Sequence, residues 1–334
     1  MNYVGIDLHS NNSVIAMVDE RGRRHLDKRL PNELPVILSQ LEGLGPIASV
    51  AVESTYNHYW LTDGLLDAGY KVLLANPLAM QPYRGLKHQD DHYDAGWIAE
   101  LQRLGILPTA HLYSRQRRGL RDVLRQRSRF VQLKTSLLLS LQSRYARWLG
   151  QRVCKSQLLA GDVPDLGDEH ENLAAHSQLD VLSHLTEQIQ WLEDRVSQQL
   201  HLEDPSYRRL VHIQGIGPVL ASTIVLETGD LSRFPRVGKY ASYARVVNST
   251  RWTNFKKKGD GNRRCGNRYL GWAFHEAAHC MHRSCTRMQK FRKHQLSRGK
   301  HPRVVWSTMA NKVCRGLYLV MRDADEFSPE RLFG

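Results

Sequence analysis

One acid set inside an apolar strand limits what residues 1–10 can become. In MNYVGIDLHS, Tyr3, Val4, Ile6 and Leu8 surround Asp7, the pattern of a buried strand. A carboxylate there is costly unless it is paired or holds a cation. Satisfaction by local backbone or by an arginine is the plainer account of it. A second strand of the same kind, ASVAVES at 48–54, contains Glu53 near its end. Residues 13–20 and 24–30 supply two further strands, with a turn at 20–22. The expected order is three strands, a helix at 34–44, the Glu53 strand, a helix at 59–68 and a strand at 70–75. In one mixed sheet that order sets Asp7 and Glu53 on neighbouring strands.

Beyond a loop at 76–85, the segment KHQDDHYDAGWIAELQRLG reads as a helix. Asp91 and Asp94 are spaced to share one of its faces. Carboxylates from two strands and one helix suit hard, oxygen-loving cations. Mg²⁺ takes few protein ligands and keeps waters or phosphate oxygens for the rest. A pair of such ions about 4 Å apart serves in-line phosphoryl displacement. Asp7, Glu53, Asp91 and Asp94 are therefore the candidate metal ligands, with Mg²⁺ expected and Mn²⁺ as its substitute.

The chain has 334 residues, with 47 Lys and Arg against 33 Asp and Glu and a formal charge of +14. That balance points to polyanionic partners. Neither a membrane span nor a signal peptide is expected. The five cysteines form no CxxC pair, and a reduced cytosolic setting is the simplest reading.

Residues 114–150 read as one long helix with an apolar seam through Leu120, Leu124, Val131, Leu138, Leu141, Tyr145 and Trp148. Its nine arginines from Arg115 to Arg147 form either a solvated face or a track for a phosphate backbone. A break at 159–167 precedes a second long helix at 169–200. The two are expected to pack as an antiparallel hairpin, serving as an internal brace or as an intermolecular coiled coil. The expected domains are 1–112, 113–204 and 205–334.

In the last third, 210–229 reads as helix, Gly-Ile-Gly turn and helix, a helix-hairpin-helix pattern. Gly215 and Gly217 there would let a phosphate approach backbone N–H groups, although a plain packing corner also uses glycine. Residues 251–300 hold fourteen Lys and Arg against Asp260 and Glu276. The segment TNFKKKGDGNRRCGN reads as a flexible basic loop whose Lys256, Lys257, Lys258, Arg263 and Arg264 would hold nucleic-acid backbones. It leads into a helix at 269–281, and 302–322 is another amphipathic helix. His275-Glu-Ala-Ala-His279 matches the zinc motif H-E-x-x-H but has no third ligand at a zincin spacing. A structural zinc site with His282, Cys285 and Cys280 or Cys265 is an alternative, and the better account is a helix with Ala273, Ala277 and Ala278 packed inward and its imidazoles near the phosphates.

These residues together resemble the DEDD-type insertion-sequence transposases of family one-hundred-and-ten, and within it the eleven-eleven subgroup. That family is related to the Piv invertases and described as bridge- or seek-RNA-guided recombinases. The resemblance runs over nearly the whole length. It is carried by GIDLHS, AVEST, DHYDAGWIAE, QGIGPVLAS and the stretch YASYARVVNSTRWTNFKKKGDGNRRCGNRYLGWAFHEAA. It implies an α/β RuvC-like (RNase H fold) domain, a helical coiled-coil insert and a mostly α transposase domain with the helix-hairpin-helix. It further implies a metal-binding tetrad of Asp7, Glu53, Asp91 and Asp94, a guide RNA, donor and target DNA, and a homodimer or homotetramer. A bacterial cytoplasmic, nucleoid-associated location goes with that reading.

The family's nucleophilic serine is matched here by Thr253, followed by Asn254 and Phe255 where glycine is usual. Threonine keeps the hydroxyl, while its methyl stiffens χ1 and crowds attack. Thr253 is the candidate nucleophile, with Ser249 and Ser242 as alternatives. A junction-resolving nuclease that uses metal-bound water, and a non-catalytic nucleic-acid-binding protein, are the competing activities.

Overall fold

Period-two alternation along the first strands builds the N-terminal sheet. The computed structural model describes residues 1–80, 90–247, 250–260 and 265–334. It divides into two units, Met1–Arg115 and Gln116–Gly334. The first is a mixed α/β sheet domain and the second is mostly helical. Among the described residues no helix is long and apolar enough to cross a membrane.

In the first unit the strands are β1 (Asn2–Leu8), β2 (Asn12–Val18), β3 (Arg24–Pro31), β4 (Ile47–Glu53), β5 (Val72–Ala75) and β6 (Thr109–Ala110). Their order in the sheet is β3-β2-β1-β4-β5-β6. β1 runs parallel to β4 and antiparallel to β2, with Ile6 opposite Val52. The helices are α1 (Leu34–Glu42), α2 (Tyr59–Asp67), α3 (Pro77–Met80) and α4 (Asp91–Arg103). Val4, Ile6, Leu8, Val50 and Val52 pack with Ile37 and Leu41 of α1 and Leu61 and Leu65 of α2. Each such burial stabilises by about 1.5–3 kcal/mol. The opposite face is thinner, with Ala51 and Ala75 against Ile98 and Leu101 of α4, and Val14 and Ala16 against Ala95. Even-numbered residues of β1 and β4 thus face α1 and α2, and odd-numbered ones face α4. Asp7 and Glu53 are both odd.

The second unit is built mainly on two 35-residue helices, α5 (Arg115–Leu149) and α7 (Glu169–Glu203), joined through α6 (Lys155–Ala160). Gln116 bonds Glu203, Arg127 pairs with Glu193 and Arg144 pairs with Glu171, an antiparallel progression. Leu138, Leu141 and Tyr145 share a core with Ala175 and Leu182. The arginines of α5 are mostly engaged within the chain. Arg118 and Arg121 are buried, while Arg117 and Arg125 pair with Asp204 and Glu227. The arginines met in this way are engaged inside the chain rather than forming a continuous solvated face. Arg129 and Arg147 remain exposed.

The remaining helices are α8 (Pro205–Val211), α9 (Pro218–Thr228), α10 (Val237–Tyr243), α11 (Arg268–Ser284), α12 (Thr286–Ser297), α13 (Pro302–Asp323) and α14 (Pro329–Phe333). They enclose one core that includes Leu210, Ile224, Tyr240, Phe274 and Tyr318. The basic segment expected to be a flexible loop is, where described, a hairpin of β7 (Thr250–Thr253) and β8 (Lys256–Asp260). Asn254 and Phe255 turn it with φ of 48° and 58°, the conformation of a two-residue type I′ turn.

Candidate functional site

The acids of the first unit are set by strand ends and by one close helix crossing. Asp7 and Glu53 each stand one residue past the last position paired between their strands, Ile6 opposite Val52. They lie on adjacent parallel strands, on the face that α4 covers. Gly5, two residues before Asp7, is where α4 crosses β1. A Cβ at Gly5 would stand 2.2 Å from the Ala95 carbonyl oxygen and 2.6 Å from the Ala99 nitrogen. The glycine therefore lets the helix backbone rest on the strand. The Asp90 side chain caps α4 by accepting from the Tyr93 N–H at 2.7 Å, and Asp91 and Asp94 occupy its first turn. Gln102, near the other end of α4, donates to the Ser49 carbonyl at 2.9 Å, so helix and strands run in opposite senses.

At the strand end, His9 Nε2 lies 3.3 Å from Asp7 Oδ2 and 3.3 Å from Asp91 Oδ2. That nitrogen is buried and aligned for a hydrogen bond to neither. The His9 carbonyl accepts from Asn32 and Asn57, each at 2.9 Å, which fixes the turn after β1. Asp7 is 4 % exposed. Arg29 of β3 donates to Asp91 at 2.6 Å and to Asn12 at 2.8 Å. The Arg29 hydrogen bond, with His9 alongside, holds the Asp91 carboxyl below its ordinary value. His92 pairs with Asp27 and Arg24 pairs with Asp27 at 2.6 Å, so β3 grips the first turn of α4. Burial raises the Asp27 carboxyl, and the bonds from His92 and Arg24 outweigh it, leaving it below its ordinary value.

Among the described residues, Asp7, His9 and Asp91 form the one group of three whose donor atoms converge, all within 4.8 Å of one another. Two carboxylate oxygens and an imidazole nitrogen fit a divalent cation, and the unaligned buried Nε2 is the atom such an ion would engage. The imidazole makes Mn²⁺ as natural a guest as Mg²⁺. Glu53, by strand register, and Asp94, one helical turn from Asp91, flank this group without belonging to it. The acid-only sequence reading overlooked His9 and Arg29. The signal for His9 was its position two residues after Asp7, in phase with it along the strand.

In the second unit, Thr253 is exposed at the end of β7, opposite Lys256. Lys256, Lys257 and Lys258 follow on β8, all exposed. Gly215 has a φ of 90°, and a Cβ there would come within 2.8 Å of the Met281 backbone, so the close approach of α11 requires this glycine. Gly217 caps the start of α9 with open space where a Cβ would stand. Arg263, Arg264 and Ser249 lie outside the described residues. Ser242 lies within α10. His275 Nδ1 bonds the Gly271 carbonyl, and His279 stacks on Trp306 at 3.6 Å. Among the described residues these histidines and Cys265, Cys280 and Cys285 do not converge as a metal site.

Comparison with known proteins agrees with this layout. A DEDD IS110-type family model described as "Transposase" matches residues 4–144. One described as "Transposase IS116/IS110/IS902 family" matches residues 207–295. The chain is 24 % identical over 294 residues to a "Probable family 20 transposase" of Pseudomonas aeruginosa, covering 80 % of this chain and 86 % of that protein. It is 22 % identical over 342 residues to the "Transposase for insertion sequence element IS1328" of Yersinia enterocolitica, covering 97 % and 98 %. Both matched segments point to the IS110 family of transposases, and the acid-bearing strands and α4 fall inside the first.

Proposed function

We propose that this transposase cuts and rejoins DNA strands of an insertion sequence under the direction of a guide RNA. The observation that carries the cleavage part is the convergence of Asp7, His9 and Asp91 at one strand end. Those three, with Glu53 and Asp94 beside them, would hold Mg²⁺ or Mn²⁺. When bound, such an ion supplies positive charge that polarises a scissile phosphate. The burial of Asp7 and the fixed His9 turn keep the donors oriented in advance. Arg29 holds Asp91 ionised.

The attacking hydroxyl in this reading is that of Thr253. Its Oγ1–P bond forms as the P–O bond to the departing deoxyribose breaks, and the hydroxyl proton passes through solvent to the departing oxygen. The covalent ester conserves the bond energy, so rejoining needs no ATP. Lys256, Lys257 and Lys258 hold the phosphate backbone beside it without reading sequence. Base pairing by the guide RNA to donor and target DNA supplies the sequence choice. A homodimer or homotetramer brings two DNA duplexes together, and the three-part division at 112 and 204 assigns cleavage, spacing and strand transfer to successive segments.

Asp7→Ala is expected to abolish strand cleavage and to leave RNA binding intact. A protein–DNA adduct that survives denaturation, present in the wild type and lost in Thr253→Ala, supports the covalent route. Cleavage without any adduct would instead identify a nuclease that hydrolyses with metal-bound water. A discrete small RNA co-purifying with the chain supports the guide.

A further inference from the structure

We propose that the groove between α5 and α11 binds a single-stranded stretch of nucleic acid, with one base stacked on Trp272. The groove holds about 840 Å³ and is lined by Arg125, Arg129, Arg268, Tyr269 and Trp272, among others. That size falls in the range of small-ligand sites, roughly 300–1,000 Å³. It is large enough for a nucleotide or two.

Its floor is locked by hydrogen bonds. Arg125 donates to both Glu227 oxygens, at 2.7 and 2.8 Å, and Asn267 Nδ2 donates to Glu227 at 2.7 Å. The Asn267 side chain also accepts from the Tyr269 and Leu270 N–H groups, which pins the first turn of α11. The Tyr269 ring has the Arg125 guanidinium 4.6 Å and the Arg268 guanidinium 4.9 Å from its centre. Trp272, one turn further along α11, is 44 % exposed. Its indole borders the groove beside Arg268 and Tyr269. It is well suited to a base, because every base offers a π-face. Arg129 and Arg268, both exposed, stand where the flanking phosphates would be neutralised. Rigid floor, exposed indole and flanking guanidiniums are the parts of a stacking site on an electrostatic groove.

This inference rests on the reading of the chain as a nucleic-acid enzyme, but its test reads no strand breakage. The full chain is titrated against fluorescent oligouridine and oligothymidine of about twelve nucleotides, a length within known single-strand site sizes, and against a hairpin duplex. Trp272→Ala is expected to weaken single-strand binding about tenfold and to leave duplex binding and the melting temperature unchanged. Trp272→Phe, which keeps a ring, should restore most of the affinity. Whether oligouridine or oligothymidine loses more tells RNA from DNA, and either supports the site. Unchanged binding to both single strands overturns the proposal. So does an equal loss on single strands and duplex, which would mark Trp272 as a general surface contact. Failure of Asp7→Ala to stop cleavage would overturn the metal-site reading alone.

Discussion

Glu227 and Asp7 are both buried carboxylates, 1 % and 4 % exposed, yet their surroundings differ in kind. Glu227 lies in a helical core, where a bidentate arginine and the Asn267 amide meet its oxygens. Asp7 lies where β1 leaves the sheet, facing an imidazole that a second carboxylate approaches equally closely. Burial penalises both charges. Around Glu227 the positive charge is that of Arg125. Beside Asp7 stand another acid and a histidine turned towards both. Glu227 is half of a structural pair with Arg125, whereas Asp7 converges with His9 and Asp91 in a group whose donor atoms suit a divalent cation. Removing the acid should therefore cost chemistry at one place and stability at the other.

The largest expected effect is on chemistry. Asp7→Ala should lower metal-dependent strand cleavage on the order of a thousandfold, as expected when several kcal/mol of charge stabilisation are lost. A cleavage assay against Mn²⁺ concentration checks it, and activity within a factor of a few would erase the contrast. Glu227→Ala should cost about 1–3 kcal/mol of stability, because it removes the buried acceptor that the Arg125 guanidinium and the Asn267 amide share. Urea unfolding measures this, and a loss below about 0.5 kcal/mol, typical of plain surface substitutions, would show that the pair is not structural.

Gly5→Ala sharpens the comparison from the side of packing. Its methyl would meet the backbone of α4, so a cost of about 1–3 kcal/mol is expected. Cation affinity should weaken with it as Asp91 moves away from Asp7. Retained affinity at lowered stability would mean that the crossing does not position the site.

The smallest effect is on acid stability. Asp91 and Asp27 have folded-state values below the ordinary 3.8. Their contribution is therefore present above about that pH and lost as the pH falls through the lower folded values. Asp27→Asn should lower stability at neutral pH and flatten its decline below pH 3.8, as followed by circular dichroism. An unchanged acid limb would contradict the grip of β3 on α4.

Strand and helix order were legible because β-branched runs and α-helical periodicity mark them directly, and Asp7 stood out as an acid in an apolar run. Arg29 was not legible, since its meeting with Asp91 depends on β3 lying at the sheet edge, 62 residues away in sequence. The role of the α5 arginines was hidden for the same reason, as Arg125 and Glu227 are 102 residues apart. Charge density in a sequence counts cations without showing which are already met. The β7–β8 hairpin was missed because its turn is Asn254-Phe255, which lacks the glycine that usually announces a two-residue turn. Gly215 could be read as a phosphate cradle or a packing corner, and only the nearness of Met281 shows the packing demand.

Mn²⁺ binding, followed through the EPR signal of the free ion, tests the central claim most directly. The wild-type chain should bind the ion, and Asp7→Asn and His9→Gln should each weaken binding about tenfold or more, since even changes outside the ligand shell cost roughly 10–100-fold. Wild-type affinity in Asp7→Asn would contradict the claim that this strand end is built to hold a cation.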